Sequence, residues 1–102
     1  MRYDQRMIDL PMPITLYGGD DCDDTERVVG RLRQWGVPFR EVILEDDPEA
    51  ERFVIFINRG YRSTPTLVFG EGKLRFVLIE PEDDELIRTL ADAGHVIAGA
   101  ER

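Results

Sequence analysis

The amino-acid sequence predicts an α/β fold: one four-stranded mixed sheet with three helices, in the element order β-α-β-α-β-β-α. Three observations carry this. Short apolar runs rich in β-branched and aromatic residues alternate with segments whose apolar residues recur at helical spacing. Gly70-Glu71-Gly72-Lys73 separates two such runs in the manner of a hairpin turn. The chain of 102 residues is long enough for one core and too short for two.

Pro13-Ile14-Thr15-Leu16-Tyr17, closed by Gly18-Gly19, reads as a buried first strand. From Cys22 the spacing turns helical, with Val28, Val29, Leu32 and Trp35 on one face and Glu26, Arg27, Arg31 and Arg33 mostly toward water, until Gly36 and Pro38 stop it. The run from Val37 to Leu44 resumes the strand signal. Asp46-Asp47-Pro48 then supplies a helix start, with Phe53, Ile57 and Phe56 or Ala50 on its apolar side and an end near Asn58-Arg59-Gly60. Thr66 to Phe69 and Leu74 to Ile79 form the hairpin strands. Glu80-Pro81-Glu82-Asp83-Asp84 opens a last helix carrying Leu86, Ile87, Leu90 and Ala91. The first crossover can make its strands parallel and the hairpin is antiparallel, which gives a mixed sheet with helices on both faces. The boundaries expected are a short arm over 1–12, a domain over 13–94 and a weakly anchored tail over 95–102, with His95 exposed in that tail.

Composition narrows the function classes. The formal net charge of -8 repels phosphate backbones and anionic lipids, so neither nucleic acid nor a membrane surface is an expected partner. MRYDQRMIDL lacks the apolar core of a secretory signal, and no window nears the 18 or so apolar residues of a membrane span, so a cytoplasmic location is expected. One cysteine and one histidine supply neither an internal disulfide nor a structural zinc site. The acidic cluster lacks the spacing of a calcium loop, and no metal site is expected.

The chemistry points to Cys22, placed between the first strand and the first helix. A helix N-terminus offers unpaired N–H groups and about half a positive charge, which favours thiolate over thiol. Asp20, Asp21, Asp23 and Asp24 surround it in sequence, and they are also ordinary first-turn residues of a helix. The helix end is worth roughly 0.3–1 kcal/mol to an anion, whereas one carboxylate about 6 Å away opposes it by of order 1–3 kcal/mol at an effective dielectric of 20–80. Asp21, Asp23 and Asp24 are therefore expected to hold the thiol at or above its ordinary pKa, with Arg59 and Arg62 as compensating cations.

The element order, the cysteine at the first strand-to-helix junction and Ser63-Thr64-Pro65-Thr66 before the third strand resemble the glutaredoxin branch of the thioredoxin superfamily, over roughly residues 13 to 93. The tetrad Cys22-Asp23-Asp24-Thr25 lies where that family has C-x-x-C or C-x-x-S, and Ser63-Thr64-Pro65 where it has T-V-P with a cis proline. Asn58-Arg59-Gly60-Tyr61-Arg62 looks like the N-G-G-x-R run of the mycoredoxin group, and Ile79-Glu80-Pro81 falls at its N-P step. The resemblance implies a monothiol-disulfide oxidoreductase with Cys22 as nucleophile and no bound cofactor. Glutathione or a similar low-molecular-weight thiol would be the co-substrate. Candidate substrate-binding residues are Tyr17, Arg62, Thr64, Pro65 and Asp83. Tyr17 and Tyr61 can line a groove or simply pack at strand ends, and Trp35 is expected in the core or at the helix end. Thr25 in place of a second cysteine excludes a dithiol cycle, and the absent C-G-F-S motif argues against a glutathione-ligated iron–sulfur cluster. The second function class is a thioredoxin-fold binding module that offers the same groove to a protein partner, a basic one suiting the aspartates.

Overall fold

In the computed structural model, which describes residues 10–99, the sheet is assembled in the order β2-β1-β3-β4. Strand β1 (Ile14–Gly18) lies parallel to β2 (Arg40–Ile43) and antiparallel to β3 (Thr66–Glu71), and β3 lies antiparallel to β4 (Leu74–Ile79). Helix α1 (Asp23–Gln34) joins β1 to β2. A 3-10 turn (Leu44–Asp46) and α2 (Pro48–Ile57) join β2 to β3, and α3 (Asp83–Asp92) ends the regular structure. This is the mixed four-stranded sheet with three helices that the sequence predicts.

The alternation of side chains along a strand assigns the two faces of the sheet. Ile14 and Leu16 of β1 and Leu67 and Phe69 of β3 point to the same side, where Val28, Val29 and Leu32 of α1 and Leu86 and Leu90 of α3 close the main core. Each such apolar side chain contributes about 1.5–3 kcal/mol when fully buried. On the opposite face Tyr17 packs against Phe53 of α2 with ring centroids 5.4 Å apart, and Val54 is fully buried. Asp47 caps α2 by accepting the Ala50 N–H at 3.1 Å, with Pro48 in the first turn where its missing N–H costs nothing.

Four local expectations change. Phe56 is 82% exposed, so the buried stripe of α2 runs through Val54. Ala91 is exposed on α3, and Ala93 just beyond the helix takes the buried place. Arg27 and Arg31 do not stand out in water but are partly buried against α3. His95 is buried at 8% exposure, with Nε2 2.7 Å from the Met12 carbonyl oxygen. Residues 95–99 are tied down rather than loose: His95 N–H donates to Leu90 O, Ala98 N–H donates to Trp35 O, and Ile97 packs on the core. On the other side of that contact, Met12 N–H donates to Ala93 O at 2.9 Å, so the entry to β1 and the exit from α3 hold one another. Most of the expected arm, residues 1–9, lies outside the described residues.

Candidate functional site

The site forms where β1 ends, α1 begins and β3 starts. Gly18 and Gly19 make the turn possible by their lack of a side chain. A Cβ on Gly18 would meet Thr25 Cγ2 at 2.5 Å, and one on Gly19 would meet Cys22 Cβ at 3.1 Å and Thr64 Oγ1 at 3.2 Å. With both positions bare, Thr25 tucks under the turn and accepts the Gly19 N–H at 3.1 Å. Thr25 is 3% exposed, so the residue standing where a second thiol would stand is a buried structural hydroxyl.

Cys22 is the N-cap residue of α1, with extended backbone (φ -132, ψ 111), and its sulfur takes the capping role by accepting the Thr25 N–H at 3.4 Å. The second wall is the loop before β3. The Thr64–Pro65 peptide is cis, Pro65 is fully buried, and Thr64 Oγ1 donates to Cys22 Sγ at 3.4 Å. As a thiol, Cys22 can in turn donate to Thr64 O at 3.7 Å. Asn58 supports this loop from behind: Nδ2 donates to Thr66 Oγ1 at 3.1 Å, and the Thr66 hydroxyl donates to Ser63 O at 2.7 Å.

Partial burial pushes the Cys22 thiol up, but the hydrogen bonds outweigh it: from the hydroxyls of Thr25 and Thr64, then from the backbone N–H groups of Thr25 and Asp24. The net effect places its pKa below the ordinary thiol value. This corrects the expectation that Asp21, Asp23 and Asp24 hold the thiol up. The backbone N–H of Asp24 helps to lower the thiol pKa, while its carboxylate is engaged by Arg27, which donates through Nε at 3.0 Å and NH2 at 2.8 Å. Asp20, Asp21 and Asp23 are exposed, where water and salt screen their charge.

The cations are placed differently from the sequence expectation. Arg62 does not face the aspartates: it donates to Glu51 at 2.5 Å and to Glu45 at 2.9 Å, and these carboxylates raise its pKa further. Glu45 also accepts the Asp20 N–H at 2.9 Å, and its carboxyl is held below its ordinary value by its own backbone N–H first, then by those of Asp20 and the Arg62 guanidinium. Asp83, at the start of α3, is taken up by two arginines of α1, Arg27 at 2.6 Å and Arg31 at 2.9 Å, and Arg27 also donates to Pro81 O. Asp24 first, then Asp83, raises the Arg27 pKa.

Of the candidate residues, Cys22, Thr64 and Pro65 are therefore brought together. Tyr17 sits on the far face against Phe53, Arg59 is exposed in a left-handed conformation (φ 59), and Asp83 and Arg62 serve as struts on either side. Sequence reasoning gave Thr25 only the role of excluding a second thiol, and missed the contacts of Glu45, Arg27 and Arg31. The pair Asp24 and Arg27, three residues apart on one helix, carried the signal for the last group. Beside the site, a depression of about 400 Å³ opens between α1 and β2, lined by Gly19, Asp20, Thr25, Glu26, Arg33 and Glu41 among others.

A mixed sheet of this order, with a thiol capping the first helix against a proline that begins the third strand, defines a thioredoxin-fold protein of the glutaredoxin type. The family model described as Glutaredoxin matches residues 14–74, and the chain belongs to the glutaredoxin family. Among solved structures, the glutaredoxin-like protein NrdH-redoxin from Escherichia coli shares the fold, with a TM-score of 0.57 and 24% identity over 78% of this chain and 95% of that one. A structural genomics target protein from X. campestris gives a TM-score of 0.54 and 27% identity over 78% of this chain and 96% of its own. No curated protein matches the chain. Among the described residues no helix is long and apolar enough to cross a membrane.

Proposed function

We propose that the chain is a monothiol thiol-disulfide oxidoreductase acting on mixed disulfides of glutathione or a similar low-molecular-weight thiol. The observation that carries this is the capping position of Cys22, where Thr25 and Thr64 donate to a sulfur whose pKa they lower. In the first step the Cys22 thiolate attacks the glutathione sulfur of a mixed disulfide. The substrate leaves as its own thiol after taking a proton, and Cys22 holds the glutathione as a disulfide. A second glutathione thiolate then attacks the glutathione sulfur of that adduct, releasing Cys22 as thiolate and oxidised glutathione as product. Thr25 makes an external thiol necessary for this second step, since the sequence holds one cysteine. The run Asn58 to Arg62 and the Glu80-Pro81 step support a place near the mycoredoxin-like members, and Thr64 beside the thiol is the natural contact for the peptide part of the substrate.

A second reading is favoured by the distribution of charge. Arg27, Arg31 and Arg62 are engaged by carboxylates, while Asp20, Asp21 and Asp23 remain exposed around the thiol. Such a rim suits a basic protein partner better than an anionic small thiol, so the same cleft can act as a binding module with slow chemistry. Mass spectrometry after incubation with oxidised glutathione separates the two. A single glutathione adduct on the folded protein, absent in Cys22→Ser and removed by reduced glutathione, supports the oxidoreductase. No adduct on folded protein, with normal modification of the denatured chain, rejects it in favour of the binding module.

A further inference from the structure

The outer edge of β4 is a second surface, independent of the thiol chemistry. In an antiparallel ladder, residues alternate between those that bond the neighbouring strand and those whose N–H and C=O point away. Glu80 N–H donates to Pro65 O, and Gly70 N–H donates to Pro13 O on the other side of β3. Together with the register Thr66↔Ile79 to Glu71↔Leu74, these bonds place the backbone groups of Leu74, Phe76 and Leu78 toward β3. Those of Arg75, Val77 and Ile79 therefore face outward, and β4 is an end strand of the sheet.

Among the described residues this edge lacks the usual defences. It is six residues long, contains no proline, carries one charge and leaves its side chains bare: Leu74 is 82% exposed, Phe76 40%, Val77 38% and Ile79 44%. Its two ends also carry opposite charge. Lys73 and Arg75 stand at the start, offset in part by Glu71 on β3, and Glu80, Glu82, Asp83 and Asp84 follow the end. A strand of this kind is complementary to itself in the antiparallel sense, whereas parallel self-pairing would set like charge against like.

We propose that β4 pairs with β4 of a second copy of this chain across a two-fold axis near Val77, making one continuous eight-stranded sheet. Centred on Val77, the pairing sets Arg75 against Ile79 of the second copy; beyond Ile79 the chain turns away at Glu80 (φ 46), so Lys73 and Arg75 of each strand lie near the exposed Glu80 of the other. Because Ile79 pairs with Thr66 and Glu80 bonds Pro65, that end is also the end of the sheet that holds Cys22.

Sedimentation or light scattering across a wide range of protein concentration should show a monomer–dimer equilibrium. Hydrogen exchange on the unaltered protein should show the amides of Arg75, Val77 and Ile79 protected when concentrated and released on dilution, with Phe76 and Leu78 protected throughout. Val77→Pro removes an outward N–H without touching the β3 ladder and should weaken the dimer by about tenfold or more. Lys73→Glu should weaken it by about twofold to fivefold, and adding Glu80→Lys should restore it. A protein that stays monomeric, a dimer in which the three outward amides exchange freely, or a dimer that tolerates Lys73→Glu overturns the proposal. If Val77→Pro fails to fold, the exchange pattern and the charge swap decide. An edge protected only by an added peptide, with no self-association, would assign it to a different partner and likewise overturn the proposal.

Discussion

Thr64 meets Cys22 twice: its hydroxyl donates to Sγ at 3.4 Å, and its carbonyl oxygen lies 3.7 Å from the same sulfur. The first contact serves the thiolate and the second the thiol. Thr64→Val keeps the shape and removes the donor, so the thiol pKa should rise and alkylation at neutral pH should slow several-fold. The rate of iodoacetamide modification against pH measures this, and an unchanged profile would show that the hydroxyl does not act on the sulfur.

The lowered Cys22 pKa also makes a statement about stability. A group whose folded-state pKa is depressed holds its proton less tightly in the folded protein than in the unfolded chain. The stabilisation is fully present above the unfolded thiol pKa and is lost as pH falls through the folded one. The difference in urea midpoint between the natural protein and Cys22→Ala should therefore change with pH across the thiol range, in favour of the natural protein at the alkaline end. A difference independent of pH would contradict the direction.

The exposed aspartates should act on the approaching reagent rather than on the sulfur. Asp21→Asn with Asp23→Asn should leave alkylation by a neutral reagent nearly unchanged while speeding reaction with oxidised glutathione, which is an anion. Added salt should shrink that gain, since it screens the same repulsion. Equal acceleration of both reagents would return the aspartates to the immediate surroundings of the thiol.

Two glycines should respond in opposite directions to the same substitution. Gly18→Ala drives a methyl into Thr25, where the spacing is 2.5 Å, and should cost about 1–3 kcal/mol while disturbing the thiol. Gly30 lies inside α1 with open space where its Cβ would stand, so Gly30→Ala should stabilise by about 0.4–1 kcal/mol. Denaturant melts of the two variants give the comparison directly.

The buried histidine gives a last stability test. His95→Leu fills similar space but leaves the Met12 carbonyl oxygen without its donor, and should cost about 1–3 kcal/mol. A neutral result in denaturant unfolding would mean that water takes over the contact.

The apolar periodicities of Ile14 to Tyr17, Val28 to Leu32 and Leu86 to Leu90 were enough to define the sheet and its helices, because burial on one face of each element is written into residue spacing. The nearness of Cys22 to Thr64 and Pro65 was legible for a different reason: the resemblance to glutaredoxins implies that the proline step before the third strand lies beside the cysteine. What the sequence hid were long-range polar partners. Nothing in the neighbourhood of His95 announces Met12, 83 residues away, and the histidine therefore reads as a tail residue. Arg62 likewise reads as a cation near aspartates, but its actual partners Glu45 and Glu51 sit on the 3-10 turn and α2, reached only after the chain folds. Asp83 reads as an accessible helix-start carboxylate until α1 brings two arginines onto it.

Glu45 holds the Asp20 backbone with one oxygen and Arg62 with the other. The segment leading into the thiol and the segment leading into the proline are thereby fastened to the same carboxylate. Widening the gap between Cys22 and Thr64 would require the Glu45 ties to give way, although each is exposed and individually weak. Glu45→Gln, which keeps the shape but removes the charge, therefore tests whether one side chain outside the cleft sets the spacing of Cys22 and Thr64.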